Sequence, residues 1–288
     1  MTGFVTKSGA KFILTAIIII FAGSLPKLFV GISFDFSAYL KEIHNVLSAM
    51  IHPSELFFYT QPEVTKPIFP YLWHPFFYSM KIFFGSFLLA LLIGLIFSYF
   101  TFFLPRRLRK VISAIVFIGE SLPDLFVIIT IQLLIVWFYK QTHILLANVG
   151  GMGDHYVYLL PIICLAILPS FLFYRVILLA CEDELGKDYI DMARSKGIRL
   201  PALLIRHVLR NMLTSIFFHS KTIIWMLLSN LLVFEYLFNI RGITMFMYEY
   251  PEPLIFTICM LMIFVPIFLF FMIVQLLIQW FTGQRVVV

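Results

Sequence analysis

The chain has 288 residues, of which 61% are hydrophobic and only 12% are charged. Soluble domains are close to half apolar and about one quarter charged, so this composition excludes a soluble globular domain. Most of the apolar surface must face lipid or other membrane helices. The net charge of +6 lies largely in short loops between apolar segments, which favours a role in membrane orientation over nucleic-acid binding.

Six apolar segments are each long enough to cross a hydrocarbon core about 30 Å thick. The predicted spans cover residues 12–30, 76–104, 111–139, 158–180, 214–238 and 254–281. The first span follows Lys7 and Lys11, and no small-residue cleavage site comes after it. It is therefore interpreted as an uncleaved signal anchor, and the sequence predicts an all-α membrane protein with six transmembrane helices.

Basic residues are concentrated in two of the connecting loops. They are Arg106, Arg107, Arg109 and Lys110 after the second span, and Lys187, Arg194, Lys196, Arg199, Arg206 and Arg210 after the fourth. Because loops rich in lysine and arginine stay in the cytoplasm, we expect both termini to be cytoplasmic. The predicted organisation is a cytoplasmic N-terminus at residues 1–11, a first transmembrane helix at 12–30, an external segment at 31–75, a five-helix core at 76–281 and a cytoplasmic tail at 282–288.

The two external segments have patterns of their own. In the first, apolar residues recur at helical spacing and predict an amphipathic helix that lies on the membrane or caps the bundle. These residues are Phe36, Tyr39, Leu40, Ile43, Val46, Leu47 and Met50. The proline-rich stretch 53–75 predicts an extended loop. In the second segment Gly150, Gly151 and Gly153 lack the strand and helix of a phosphate loop, which favours a flexible turn.

The loop at residues 182–212, between the fourth and fifth spans, is polar and contains charges of both signs. Leu185, Tyr189 and Met192 share one helical face, and Gly197 stands where the pattern stops, as a left-handed C-terminal residue would. Pro201 suits the first turn of a second helix. The apolar stripe of that second helix is Leu204, Val208 and Met212.

Two short amphipathic helices joined by a sharp turn are therefore expected in this loop. They would either project as a knob for a partner or lie on lipid headgroups as an interfacial hairpin, and periodicity alone favours the hairpin. The small side chain of Ala193 would let the backbone of a partner come close.

Charged side chains inside the predicted spans need partners, a polar path or access to headgroups. Glu120 and Asp124 are four residues apart on one face of the third span, and we expect them to line a translocation path or to pair with a cation of a neighbouring subunit. Lys81 and Lys221 are expected to extend toward headgroups, with Lys221 also a candidate for the path. The cysteines and histidines lack metal-ligand spacing, so no metal site is predicted.

Specific motifs then identify a family. Asp191-x-Ala-x-x-x-Gly197 resembles the Glu-Ala-Ala-x-x-x-Gly loop of permease subunits of binding-protein-dependent ABC importers. Asp188-Tyr-Ile-x-x-Ala-Arg-Ser-Lys-Gly-Ile, with Arg206-His-x-Leu-Arg-Asn211, is similar to the form found in the dipeptide, oligopeptide and nickel permeases. Ser121-Leu-Pro123 and Leu160-Pro161 resemble further elements of that family.

The resemblance implies the type I importer permease architecture, in which a cytoplasmic coupling helix inserts into a separate ATPase subunit. The candidate coupling residues are Asp188, Tyr189, Asp191, Ala193, Arg194, Lys196, Gly197, His207, Arg210 and Asn211. The implied partners are ABC ATPase subunits that bind ATP, a second and different permease subunit, and an extracellular solute-binding protein, in the inner membrane of a bacterial cell.

The chain has no Gly-x-x-x-x-Gly-Lys-Ser/Thr sequence, so we expect no ATPase activity and no cofactor of its own. The resemblance implies that the solute is a peptide or a related small molecule such as nickel or a metal chelate. The alternative is an ion-coupled carrier or a membrane enzyme that uses the intramembrane carboxylates.

Overall fold

The computed structural model describes the backbone of residues 2–31, 33–52, 57–61, 64–151 and 156–283. Within these ranges the helices are α1 Thr2–Ser24, α2 Phe36–Ile51, α3 Ile68–Thr101, α4 Arg106–Glu120, α5 Asp124–Thr142, α6 Leu159–Leu185, α7 Asp188–Ser195, α8 Leu200–Leu203, α9 Leu209–Leu237, α10 Ile243–Glu249 and α11 Pro253–Thr282. Two short antiparallel pairs complete the fold, β1 Phe29–Val30 with β2 Ser33–Phe34, and β3 Phe57–Gln61 with β4 Val64–Pro67.

Six helices of the described chain are long and apolar enough to cross a membrane. The segments are Thr6–Leu28, Ile68–Thr101, Asp124–Thr142, Leu159–Leu185, Leu209–Leu237 and Pro253–Thr282. The prediction of an all-α protein with six membrane-spanning helices is therefore confirmed.

The third predicted span, residues 111–139, is not one helix. The structure divides it into α4 and α5, which are separated at residues 121–123. Pro123 has no N–H to donate and disfavours helical geometry at Leu122, which stops α4. The N–H of Leu122 closes a tight turn on the Gly119 carbonyl at 3.2 Å, and Asp124 begins α5 with a carboxylate in its first turn. Of the two helices, α5 is the candidate span.

The chain forms two compact units, and the first contains Met1–Met80 and Arg241–Ile273. Its amphipathic helix α2 is capped by Asp35, whose side chain accepts a hydrogen bond from the Ala38 N–H at 2.9 Å. A small apolar core joins α1, α2 and α11 through Ile20, Tyr39, Ile43, Val46 and Leu261. The predicted helix is confirmed, but only the middle of its predicted face is buried. Phe36, Leu40, Leu47 and Met50 are exposed.

Close packing in this unit depends on Gly23. A Cβ atom added at Gly23 would lie 2.1 Å from Oγ1 of Thr257, far inside van der Waals contact. The missing side chain therefore lets α1 approach α11.

In the described part of the predicted extended loop at residues 53–75, the chain forms regular structure instead. The strands β3 and β4 form a hairpin, and α3 begins at Ile68 and contains Pro75. Ile68 and Leu72 are fully buried, and this burial offsets the cost of a proline inside the helix.

The second unit contains Lys81–Ile240 and Val274–Val288 and is arranged around α6. This helix contacts α4, α5 and α9 and buries one side along most of its length. Phe173 of α6 is fully buried, and a Cβ atom added at Gly94 of α3 would lie 2.6 Å from its Cβ. Gly94 thus allows α3 to pack closely on α6.

The glycine turn after α5 is held by hydrogen bonds, contrary to the predicted flexible turn. The N–H of Gly151 donates to the Phe238 carbonyl at 2.8 Å, and the side-chain amide of Asn239 donates to the Gly151 carbonyl at 2.9 Å. Gly153 lies outside the described residues. The turn is therefore fixed to the end of α9.

Candidate functional site

In the polar loop at residues 182–212 the chain forms a short helix, α7, followed by a sharp turn. Gly197 has a φ of +78°, a left-handed conformation that side chains rarely adopt. The N–H of Gly197 donates to the Arg194 carbonyl at 2.9 Å, and the N–H of Ile198 donates to the Ala193 carbonyl at 3.3 Å. These bonds satisfy carbonyls that the helix end would otherwise leave free. The predicted left-handed glycine is confirmed.

The buried face of α7 differs from the predicted one. Ile190 and Ala193 are buried within the chain, whereas Met192 is 63% exposed. The predicted face of Leu185, Tyr189 and Met192 is therefore wrong at Met192. The expectation for Ala193 is also wrong, because its small side chain packs inside its own chain and is not open to a partner.

The second short helix of the prediction is also wrong as a separate element. The helix α8 continues through a π-helical turn, Leu204–Val208, directly into α9. No helix-breaking residue stands between Pro201 and the fifth span, so the helix that starts there is not interrupted. Pro201 does occupy the first turn, and the predicted stripe of Leu204, Val208 and Met212 is buried as expected.

A hydrogen-bonded cluster attaches α7 to both neighbouring spans, and its centre is the buried carboxylate of Glu184 at the end of α6. Tyr189 Oη donates to Glu184 Oε1 at 2.6 Å, and Asn211 Nδ2 donates to the same oxygen at 2.8 Å. Asn211 Nδ2 also lies 3.0 Å from Tyr189 Oη. Lys187 pairs with the other oxygen, Glu184 Oε2. The four side chains, which we call the Glu184 cluster, thus join α6, α7 and α9.

The chemistry of the cluster is that of a structural clamp. A buried carboxylate costs free energy unless donors compensate it, and here Lys187, Tyr189 and Asn211 supply them. Burial raises the pKa of the Tyr189 hydroxyl, and its hydrogen bond to Glu184 raises that pKa further. The hydroxyl therefore stays protonated and remains a donor to the carboxylate.

Other candidate coupling residues face outward. Asp188, Asp191, Arg194, Lys196 and Arg210 are exposed. Among them, Arg194 Nη1 and Asp191 Oδ1 are 3.5 Å apart in a solvent-exposed pair, a geometry worth less than about 1 kcal/mol. The side chain of His207 lies outside the described residues. The outward surface of α7 therefore combines exposed Met192 with charges of both signs.

The structure groups the predicted residues differently from the sequence. It brings Tyr189 and Asn211 together around Glu184, which sequence reasoning missed. A usable signal existed, because an acidic residue ends an apolar span just before the motif. Its partner Asn211 lies 27 residues further along, however, and the local pattern does not reveal that contact.

The carboxylates of Glu120 and Asp124 lie apart from this cluster and have separate partners. Glu120 ends α4 and pairs with Arg175 of α6, with Oε2 and Nη1 2.5 Å apart. Asp124 begins α5 and accepts a hydrogen bond from Asn230 of α9. The expectation that both lie on one face of a continuous helix is wrong, since the break at Pro123 separates them. Each carboxylate pairs within its own chain.

Lys221 lies on α9 beside aromatic rings. Its Nζ is 5.2 Å from the centroid of the Phe217 ring and 5.4 Å from that of Phe218. Among the described residues, no group of three or more His, Cys, Asp and Glu side chains is placed to hold a metal ion.

Comparison with known proteins adds family information to this geometry. One relative is the "Metal-staphylopine import system permease protein CntB" of Staphylococcus aureus strain NCTC 8325, 28% identical over 137 residues that cover 46% of this chain and 41% of the relative. Another is the "Dipeptide transport system permease protein DppB" of Haemophilus influenzae, 33% identical over 100 residues that cover 34% of this chain and 30% of the relative. The matches thus span less than half the length of these curated relatives.

A family model covers much more of the chain. The model described as "Binding-protein-dependent transport system inner membrane component" matches residues 90–284, which include α7, the Glu184 cluster, Glu120 and Asp124. The predicted resemblance is confirmed, and the chain belongs to the family of inner membrane components of binding-protein-dependent transport systems.

Proposed function

We propose that this chain is the permease subunit of an ATP-driven ABC importer and that α7 is the helix by which it docks on a separate ATPase subunit. The proposal is supported by two features of α7, which are an exposed surface that faces outward and a buried side that is fixed to the neighbouring helices. The outward surface offers exposed Met192 between charges of both signs, as a docking surface requires. The inward side is fixed by buried Ile190 and Ala193 and by the Glu184 cluster.

This arrangement transmits force. An ATPase subunit that closes on ATP would pull α7 as a rigid piece, because the Gly197 turn fixes the helix end and Glu184 fixes its start. Through Glu184 and Asn211 the displacement would reach the ends of α6 and α9 together. The two spans would then move relative to the rest of the bundle and alternate the access of the solute.

The transported solute is proposed from the names of the relatives. CntB is named for metal-staphylopine import and DppB for dipeptide transport, so we propose a peptide or a metal chelate as the solute of this chain. The proposed partners are two ATPase subunits that bind ATP, a second and different permease subunit, and an extracellular solute-binding protein. Under this proposal the chain itself holds no ATP or cofactor, and both termini are cytoplasmic, as the basic loops favour.

Cross-linking from α7 tests the docking proposal. Met192→Cys is labelled with a photoactivatable cross-linker in membranes that contain the natural transporter, and Leu25→Cys, also exposed, serves as the control. The native cysteines Cys164, Cys181 and Cys259 are buried, so background labelling is expected to be low. We expect a product between position 192 and a protein whose peptides contain an ATP-binding Gly-x-x-x-x-Gly-Lys-Ser/Thr loop. Equal cross-linking from both positions, or none from position 192, would contradict the proposal.

A further inference from the structure

A second polar surface lies at the same end of α6 as the Glu184 cluster but on another side of the second unit. It is an open groove of about 940 Å³ between α4 and α6, near the end of α3. Its lining combines the basic side chains Arg106, Arg107, Arg109, Lys110 and Arg175 and the acidic Glu182 with apolar side chains. We call it the α4–α6 groove. Its volume is ample for a phospholipid headgroup.

The groove is strongly cationic. Five of its side chains are basic and one is acidic. Arg109 Nη1 lies 3.6 Å from Glu182, and Arg175 pairs with Glu120, so these two arginines are partly neutralised. Arg106, Arg107 and Lys110 are exposed and have no ion pair among the described residues. An excess of positive charge therefore remains at the mouth of the groove.

Arg109 is held in place at the wall of the groove. Its Nη2 donates to the Phe102 carbonyl at 3.2 Å, and its guanidinium lies 5.0 Å from the centroid of the Phe102 ring. The Nε atom is buried and has no hydrogen-bond partner within the described part of the chain. The arginine is thus positioned by its own chain before any ligand binds.

The remaining wall is apolar and continues into an exposed apolar surface. Phe117 is 62% exposed and Leu179 is 53% exposed, and both belong to helices that run away from the basic mouth. A ligand that fits this lining needs an anionic head for the cations and hydrocarbon for the exposed apolar side chains. A free anion would satisfy only the first requirement.

We propose that the α4–α6 groove is a binding site for an anionic phospholipid, with the phosphate at Arg106, Arg107 and Lys110 and the acyl chains along Phe117 and Leu179. The site goes beyond the coupling role of α7, because none of the residues of the Glu184 cluster lines it. A bound lipid would fill the space between α4 and α6 and connect the break at Pro123 to the end of α6 through packed hydrocarbon.

Native mass spectrometry of the intact transporter tests this site. The complex is reconstituted in equal amounts of phosphatidylglycerol and phosphatidylcholine, and the lipids that it retains on release are counted. Arg106→Gln with Arg107→Gln removes two groove cations, and Lys7→Gln with Lys11→Gln removes two cations from the N-terminal end as the matched control. Because the two changes remove positive charge from the proposed phosphate site, the groove variant is expected to bind phosphatidylglycerol about tenfold more weakly or worse, with no change in the control.

A charge-conserving variant and a soluble competitor complete the experiment. Arg106→Lys with Arg107→Lys should retain most of the preference for phosphatidylglycerol, which also shows that changes at these positions leave the complex assembled. Loss of the lipid on addition of millimolar inorganic phosphate would mean that the groove binds a soluble anion, and would overturn the lipid assignment. Equal retention of the two lipids by the unaltered complex, or equal losses in the groove variant and its control, would overturn it too. ATP-dependent coupling is read separately, so failure of this site leaves the role of α7 to its own test.

Discussion

The helices of the second unit are interrupted at Gly197 and at Pro123. Charged side chains project outward beside the first break and are paired within the chain beside the second. At Gly197 a left-handed residue ends α7, and Asp191, Arg194 and Lys196 project outward. At Pro123 the chain breaks between α4 and α5, and the two adjoining carboxylates pair inside the same chain. A break between helices can thus present charge to a partner or distribute it among neighbouring helices.

The polar contacts near the two breaks also differ in how many helices they join. The Glu184 cluster joins α6, α7 and α9 at one point, so its loss would release α7 from both spans. The contacts of Glu120 and Asp124 go to different helices, α6 and α9, and each fixes one helix end. The first arrangement is suited to transmit a movement and the second to stabilise a bend.

The largest expected effect is that of Glu184→Ala. The change leaves Lys187, Tyr189 and Asn211 without their shared acceptor and should lower the free energy of unfolding by about 2–3 kcal/mol, since hydrogen bonds to a charged group contribute about that much. Uptake should fall at least about tenfold, because α7 would no longer move with α6 and α9. Thermal unfolding and solute uptake in proteoliposomes measure the two effects.

The neighbouring carboxylate provides the control for Glu184. Asp183 is exposed, and Asp183→Ala removes the same charge one residue away without touching the cluster. It should change the free energy of unfolding by less than about 0.5 kcal/mol and the rate of uptake by less than about twofold. If the two variants behaved alike, the cluster would have no special part in coupling.

A smaller effect is expected at the break between α4 and α5, at Pro123. Asn230→Leu removes the donor to Asp124 and should destabilise the protein by about 1–2 kcal/mol, with uptake reduced in proportion to the folded fraction. The ratio of solute transported to ATP hydrolysed should stay unchanged. Ser229→Ala, next to it on α9, loses only a bond to the Trp225 carbonyl and is the control. A changed transport ratio in Asn230→Leu would remove the distinction between the two regions.

Most of the features that the sequence predicts correctly depend on signals within a few residues. Gly197, Pro201 and the stripe of Leu204, Val208 and Met212 are each recognisable within a few residues, and each is confirmed. Apolar composition likewise predicted six membrane-spanning helices. These features depend on backbone preference and periodicity, which a single sequence contains.

The errors have a common cause in contacts between distant residues. The face of α7 was misassigned because Ile190 and Ala193 are buried by packing that periodicity does not specify. The early start of α3 depends on burial of Ile68 and Leu72 and contradicts the local proline signal. The break before Asp124 follows from Pro123, which lies inside the predicted span at residues 111–139. The part played by Glu184 depends on Asn211 and could not be read from either residue alone.

The most direct test of the central claim is a paired measurement of ATP hydrolysis and uptake in Gly197→Val. A β-branched residue strongly disfavours the φ of +78° at this position, so the turn after α7 should distort although no atom stands within 4 Å of the added Cβ. Gly186→Val is the matched control, because Gly186 has a φ of −82° and its nearest neighbour would be 3.7 Å away. We predict that Gly197→Val hydrolyses ATP without importing solute while Gly186→Val does both. Normal uptake per ATP in Gly197→Val would contradict the assignment of α7 as the coupling helix.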